Sequence, residues 1–169
     1  MGAYAQTEHM TFVGIPLNGT IDQFQQKLIS KGFVVNKEMN TILEKGLRAF
    51  KGTFVGEKAD ITVYYDTKTK QVYSAKSFFL NLSYKEVGER YNYLKNQIQE
   101  KYKDSLAYPE EKTEAGLKTF IASVGLGIIT IWQDKDEGGR GYPNIYSLHI
   151  SYTDYINWRL HEENNIDDL

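Results

Sequence analysis

The sequence lacks cysteine, a long apolar run and an excess of either charge. Without cysteine among its 169 residues, the chain can form no disulfide, no cysteine-ligated zinc site and no thiol nucleophile. No apolar run approaches the roughly 18–20 residues that a membrane helix requires. A net charge of −2, from 20 basic and 22 acidic residues, disfavours both a nucleic-acid binder and a polybasic membrane-surface protein.

The composition, with 41% apolar and 14% aromatic residues, is typical of an ordinary globular protein. A chain of this length should bury about 68–70% of the surface that its unfolded form exposes, which is enough for one stable domain. We expect a signal-peptide remnant without fixed structure over residues 1–10 and a single α+β domain over 11–160. An acidic tail that frays should follow over 161–169.

The N-terminus carries a pattern typical of export. Ala3-Tyr4-Ala5-Gln6 has the small-x-small order that ends a secretory signal peptide, and Met1-Gly2 looks like an added start beside it. We therefore expect an exported protein, periplasmic or at the cell surface. The alternative is a chance occurrence of three residues in an intracellular chain.

Two capping boxes predict two helices. In Thr20-Ile21-Asp22-Gln23 and in Ser83-Tyr84-Lys85-Glu86, the first and fourth side chains can satisfy free backbone N–H groups at a helix start. The apolar spacing that follows predicts helices from about Ile21 to Lys31 and from about Tyr84 to Lys103. Gly88 inside the second helix costs roughly 1 kcal/mol relative to alanine, unless another backbone packs closely there.

Each predicted helix is followed by a similar series of strands. The runs rich in Val, Ile, Tyr, Phe and Thr are 50–54, 61–65 and 72–79, then 117–121, 128–132 and 145–152. Thr53 and Thr119 are 66 residues apart, and Ile61 and Ile128 are 67 apart. We therefore predict two pseudo-symmetric repeats, about 11–82 and 83–160.

The connections and the side-chain pattern indicate the arrangement of these strands. Short links require antiparallel pairing, in one sheet or two, with both helices on one face. Leu148 and Ile150 alternate with polar neighbours, which is typical of a strand with one buried face, and the apolar run 128–132 should be central. Residues 11–16 could add a strand that ends at Pro16.

The first half also carries a motif that resembles a known group of proteins. The motif residues are Phe12-x-Gly14-Ile15-Pro16-Leu17-x-Gly19, Phe24, Leu28, Lys31-Gly32-Phe33 and Phe50-x-Gly52-x-Phe54-x-Gly56. This pattern resembles exported proteins of unknown function from Bacteroides-type gut bacteria, which implies export and brings no known activity. The motif positions look structural, with glycines in turns and phenylalanines in the core. The layout alone is similar to the two-repeat β-lactamase-inhibitory proteins, a fold-level analogy that does not imply function.

Catalytic motifs are weak in this sequence. The histidines are His9, His149 and His161, and only His149 has hydroxyl neighbours at alternating positions, Ser147 and Ser151. Residues two apart on a strand are about 7 Å apart, which we take as too far for a direct Ser–His hydrogen bond. We therefore assign no catalytic residue, and keep a small envelope hydrolase that uses carboxylates or His149 as the alternative function.

Metal and phosphate motifs are also incomplete. The loop that begins at Asp134 has alternating acidic residues and a Gly pair, but lacks the distal glutamate of a calcium loop. Gly138 to Gly141 precedes a strand, where a phosphate site needs a helix N-terminus. We expect no metal and no cofactor.

Aromatic residues are the main indication of binding. The candidate ligand-binding residues are Tyr64, Tyr73, Tyr142, Tyr146, Tyr152 and Trp158, with Tyr155 beside them. Aromatic faces on strands and loops can stack on sugars or anchor a protein. The favoured function is a non-enzymatic binding domain for a protein or carbohydrate partner, and a structural component of an envelope complex is a third possibility. A pocket near Tyr65, Trp132 and Tyr146 would favour the hydrolase, and a flat aromatic sheet would favour binding.

Overall fold

The computed structural model describes residues 8–138 and 140–166. Its four helices are α1 (Ile21–Ser30), α2 (Lys37–Asn40), α3 (Tyr84–Lys101) and α4 (Tyr155–Ile166). The strands are β1 (Thr11–Phe12), β2 (Ile15–Pro16), β3 (Val34–Val35), β4 (Leu47–Phe54), β5 (Glu57–Tyr65), β6 (Val72–Leu82), β7 (Leu106–Glu114), β8 (Leu117–Val124), β9 (Gly127–Asp136) and β10 (Ile145–Asp154). The α+β class predicted from the sequence is confirmed.

Eight of the strands form one antiparallel sheet in the order β3-β4-β5-β6-β10-β9-β8-β7. Its central pair is β6 with β10, in which Ser77 lies opposite Ile150. The sheet is therefore joined in the middle by strands that are distant in sequence, while all its other pairs except β3 with β4 are hairpins. The predicted run 128–132 belongs to β9, beside this pair rather than in it.

One face of the sheet is covered by α1 and α3 and holds the core. On α1 the buried residues are Ile21, Phe24 and Leu28, and on α3 they are Val87, Tyr91, Leu94 and Ile98. They pack against an apolar row that crosses the sheet through Phe50, Ile61, Ile150, Ile131 and Phe120. Both helices thus bury one stripe on one face, as predicted.

The helix starts follow from the capping boxes. Thr20 and Ser83 are the N-caps, and in each case the side chain accepts a hydrogen bond from the backbone of the residue three positions on. α1 ends at Ser30 and α3 at Lys101, each within two residues of the prediction. Gly88 has no atom within 4 Å of where a Cβ would lie, so the helix simply tolerates it.

The glycines of the N-terminal motif have structural roles. Gly32, just beyond α1, has a φ of +91°, which favours glycine. Gly52 lies under Phe33, whose ring occupies the space that a Cβ would fill. Phe33 is 5% exposed, so this contact belongs to the core.

Several predicted boundaries differ from the structure. Residues 11–16 form β1 and β2, which pair with each other in a separate two-stranded sheet because Val13 and Gly14 turn the chain back on itself. β3, α2, β7 and α4 were not predicted, so the described residues form four helices where the sequence predicted two. The residues from His161 to Ile166, expected to fray, continue α4.

Both predicted terminal segments lie partly outside the described residues. The parts outside are residues 1–7, which include the export pattern, and residues 167–169. Within the described part of the chain, Met10 is 6% exposed and its N–H donates to the buried carboxylate of Asp154 at 2.9 Å. The chain is therefore anchored from at least Met10 onward.

The strand order is symmetric about the boundary between β6 and β10, with four strands on either side of it. α1 precedes the first four of these strands in the chain, and α3 precedes the other four. The predicted internal repeat is compatible with this order and remains a prediction.

Candidate functional site

The candidate site lies on the face of the sheet opposite α1 and α3, which we call the open face. Side chains alternate along each strand, so the open face receives the neighbours of the buried residues. On β10 these are Ser147, His149 and Ser151, beside the fully buried Leu148 and Ile150. The predicted alternation along this strand is confirmed.

Three rings stand side by side across the open face. Phe78, His149 and Trp132 occupy one cross-strand row on β6, β10 and β9. The His149 ring is 5.6 Å from Phe78 and 4.9 Å from Trp132 between centroids, at interplanar angles of 15° and 8°. Because neighbouring strands are about 4.8 Å apart, flat side chains in one row stack in this way. The inner ring faces cover one another, and only the outer faces and edges can meet a ligand.

A cavity of about 270 Å³ adjoins this row. Its lining is aromatic and hydroxyl-rich and consists of Tyr64, Tyr73, Ser74, Lys76, Trp132, Ser151, Thr153 and Trp158. Trp158, 37% exposed, reaches it from α4. Three of the six predicted binding residues, Tyr64, Tyr73 and Trp158, therefore meet here. We call the residues that line this cavity the aromatic site.

Lys76 supplies the positive charge of the aromatic site. Its ammonium nitrogen lies 5.1 Å from the Phe78 centroid and 5.8 Å from that of Trp132, both within cation–π range. In the described chain Lys76 has no carboxylate partner. Neither Lys76 nor Phe78 was singled out from the sequence, although both alternate with the buried Ala75, Ser77 and Phe79 and so could have been placed on this face.

Ser147 and His149 form a hydrogen bond that the sequence argument excluded. The Ser147 hydroxyl is 2.9 Å from His149 Nε2. The distance of about 7 Å separates the Cα atoms of residues two apart on a strand, so it does not limit the distance between their side chains. The imidazole of His149 reaches back along the strand to Ser147. A bulge in β6 opposite Ser147 also changes the local register.

This pair lacks the third member of a catalytic triad. Nδ1 of His149 is buried and has no hydrogen-bond partner among the described residues, so no carboxylate orients the ring. Burial, and then the charge of Lys76, lower the pKa of His149 to about 4. The imidazole is therefore neutral at pH 7, but it is a weak base.

A second histidine fixes one edge of the site. The ring of His161 stacks on Tyr73 at 4.4 Å, and its Nδ1 lies 3.0 Å from the buried carboxylate of Asp66. Burial disfavours the charged form of Asp66, but hydrogen bonds from Thr69, His161 and Asn164 outweigh it and hold the pKa of Asp66 well below its usual range. This contact holds α4, and with it Trp158, against the turn between β5 and β6.

The other predicted binding residues lie elsewhere. Tyr152 is 7% exposed and packs in the core against Phe12, so it lies away from the aromatic site, and its role in binding stays a prediction. Tyr146 also faces the covered side, against Tyr84, and Tyr142 is 77% exposed in the β9–β10 loop. Tyr146 and Tyr152 are separated from Leu148 and Ile150 by an even number of positions along β10. Their side chains therefore lie on the same, covered side of the sheet.

The proposed hydrolase pocket does not assemble. Trp132 lies on the open face, while Tyr65 and Tyr146 pack against the core from the covered face. Asp134 and Asp136 belong to β9 rather than to a loop. Among residues 8–138 and 140–166, no group of three or more His, Asp or Glu is placed to hold a metal ion.

No family model, curated protein or solved structure matches this chain. The described residues include no helix that is both long and apolar enough to cross a membrane.

Proposed function

We propose that the protein is a binding domain whose aromatic site takes an acidic sugar of a glycan. The observation that carries this proposal is the gathering of Tyr64, Tyr73, Trp132 and Trp158 around one cavity with Lys76, which has no carboxylate partner among the described residues. Aromatic faces suit the apolar faces of sugar rings, and Ser and Thr hydroxyls suit their hydroxyl groups. A half-buried ammonium without a counter-ion favours a ligand that brings a carboxylate.

The site is better suited to a small ring than to a flat protein surface. At about 270 Å³ the cavity is just below the 300–1,000 Å³ typical of ligand sites, which suits a small ligand. Tyr73 is held in place by His161, and Trp132 by His149, so two of the rings are fixed before a ligand arrives. Such preorganisation lowers the entropy lost on binding.

Calorimetric titration with glucuronate-containing oligosaccharides tests this proposal. We expect binding that weakens about tenfold or more in Trp158→Ala and in Lys76→Gln. Tyr108→Ala, on β7, is the matched control, because Tyr108 is 87% exposed and outside the site. A neutral glucose oligomer should bind more weakly. Equal losses in all three variants, or no binding of either oligosaccharide, would contradict the proposal.

The Ser147–His149 hydrogen bond supports a second candidate function, a small hydrolase with a Ser–His pair. Against it stand the low pKa of His149, at about 4, and the missing carboxylate. A fluorophosphonate probe that labels the protein, with labelling lost in Ser147→Ala, would favour this function over glycan binding. Unlabelled protein would leave the binding domain as the better proposal.

Export is proposed with the same function. Its support is the small-x-small pattern at Ala3 to Gln6 and the resemblance of the Phe/Gly motif to exported proteins of gut bacteria. Mass spectrometry of the native protein would locate its N-terminus. An intact N-terminus upstream of Gln6 in a cytoplasmic fraction would refute export.

A further inference from the structure

The sheet splits at the end opposite the aromatic site. β5 pairs with β6 from Tyr65 as far as Asp60, which lies opposite Phe78, and no further. Yet β5 continues to Glu57 in its pairing with β4, and β6 continues to Leu82 in its pairing with β10. In the described chain no strand pairing joins 57–59 to 79–82, so two strand edges face each other without backbone pairing.

A β-bulge accounts for the split. Phe79 lies opposite Leu148 and Leu82 opposite Tyr146, so Leu80 and Asn81 together oppose a single residue of β10. Asn81 adopts the left-handed conformation, with a φ of +58°. A bulge bends its strand and increases the local twist, which turns the end of β6 away from β5.

The resulting cleft has a volume of about 600 Å³. One wall is formed by β4 and β5 with Lys51 and Lys58, and the other by the end of β6, where Leu80 is 48% exposed. Backbone N–H and C=O groups along such edges are templates for an additional strand. The cleft thus offers pairing groups on both sides.

The charged residues that line the cleft favour a negatively charged ligand. Its charged lining residues are Lys51, Lys58 and Arg90, with Asp60 as the acid. Arg90 pairs with Glu57, whereas Lys51 and Lys58 are exposed and have no ion-pair partner in the described chain. The two unpaired lysines complement a negatively charged ligand.

An apolar pocket of about 320 Å³ continues the cleft beyond Arg90. It is lined by Val55, Phe79, Tyr93 and Leu94, together with Glu57, Glu89 and Arg90. Val55 is 46% exposed and Tyr93 53% exposed. A large apolar side chain that follows an acidic residue would fit here.

We propose that this cleft binds an extended acidic segment of a partner polypeptide by strand addition between β5 and β6. The backbone edges supply the hydrogen bonds, Lys51 and Lys58 supply charge complementarity, and the adjoining pocket takes an apolar side chain. This site is separate from the aromatic site and does not depend on the proposed glycan.

Fluorescence anisotropy with a labelled peptide of alternating glutamate and valine tests the proposal. We expect saturable binding to the wild-type chain, and about tenfold weaker binding to Lys51→Glu/Lys58→Glu. The matched control is Lys37→Glu/Lys45→Glu, which changes the net charge equally at exposed lysines outside the cleft. Equal loss in both double variants would overturn the proposal, because it would indicate only long-range attraction.

A second peptide separates strand addition from simple charge attraction. Proline in place of each valine removes backbone donors and should abolish binding. Hydrogen exchange should slow for the backbone amides of 57–59 and 79–82 when the valine peptide is added. The proposal fails if the proline peptide or dodecanoate binds as tightly as the valine peptide, or if no protection appears, since the cleft would then take any anionic amphiphile or none.

Discussion

Ser74 and Ser77 lie on the same strand, face opposite sides of the sheet and differ in their hydrogen bonds. The Ser74 hydroxyl donates to the Tyr152 carbonyl at 2.9 Å, whereas the fully buried Ser77 hydroxyl has no partner among the described residues. Ser77 sits between Ile61 and Ile150 in the core row. A buried polar group without a hydrogen bond destabilises a fold by about 1–3 kcal/mol.

The same substitution should therefore act in opposite directions at these two sites. Ser77→Ala should raise the free energy of unfolding by about 1 kcal/mol, because it removes an unsatisfied hydroxyl. Ser74→Ala should lower it by about 1 kcal/mol, because it removes a made hydrogen bond. Urea unfolding measures both. A loss in Ser77→Ala as large as that in Ser74→Ala would mean that the hydroxyl is satisfied in solution.

Titration of His149 gives a pH-dependent prediction. The pKa of His149 is lowered from 6.5 to about 4 in the folded chain, by burial and then by Lys76. Between these values the unfolded chain binds a proton that the folded ring does not, so stability should fall as pH falls from about 6.5 to about 4. The slope is at most about 1.4 kcal/mol per pH unit for one proton, and less because the ring is only partly shielded.

Two measurements check this prediction. The NMR shift of the His149 ring should titrate near pH 4 rather than near 6.5. The fall in unfolding free energy between those values should be smaller in His149→Gln, which carries no titrating ring. A midpoint near 6.5 would show that the stacked ring is open to water, and would weaken the case for a preorganised aromatic site.

At the scale of the elements, α3 and β4 each contain a glycine within an otherwise regular structure. Gly88 in α3 has open space where a Cβ would lie, and Gly52 in β4 has the Phe33 ring there. Gly88→Ala should stabilise the protein by up to about 1 kcal/mol, the difference in helix propensity. Gly52→Ala should destabilise it by about 1–3 kcal/mol, because Phe33 must leave its place in the core.

Thermal unfolding of the two variants measures this difference. Gly88→Ala should raise the unfolding midpoint and Gly52→Ala should lower it, although each variant adds the same single methyl group. Gly52→Ala combined with Phe33→Leu is the control, and should recover part of the loss because the smaller side chain makes room. If Gly52→Ala alone is neutral, the contact with Phe33 does not constrain β4.

At the scale of the whole molecule, local signals were sufficient for α1, α3 and the hairpins. Capping boxes and apolar spacing are local, and both predicted helices begin where their caps lie. β7 was missed because no residue along it is fully buried, so an edge strand of this kind shows no alternation. α4 was missed because Asn157 is its only buried residue, and polar contacts rather than an apolar stripe hold it.

The site was only partly predictable for a related reason. The sequence predicts Tyr64, Tyr73 and Trp158 as surface aromatics, but their meeting depends on α4 lying against the β5–β6 turn through Asp66 and His161. The row of stacked rings depends on β6 pairing with β10. That pairing joins residues about 70 positions apart, as between Ser77 and Ile150, and no local pattern specifies it.

The central position of β10 also affects how the chain folds during synthesis. A ribosome makes β3 to β9 before it makes β10, so the inner edges of β6 and β9 wait without a partner. Such edges invite pairing with other chains until the sheet is complete. The nascent chain should therefore be most prone to mispairing and aggregation in the interval before β10 has been made.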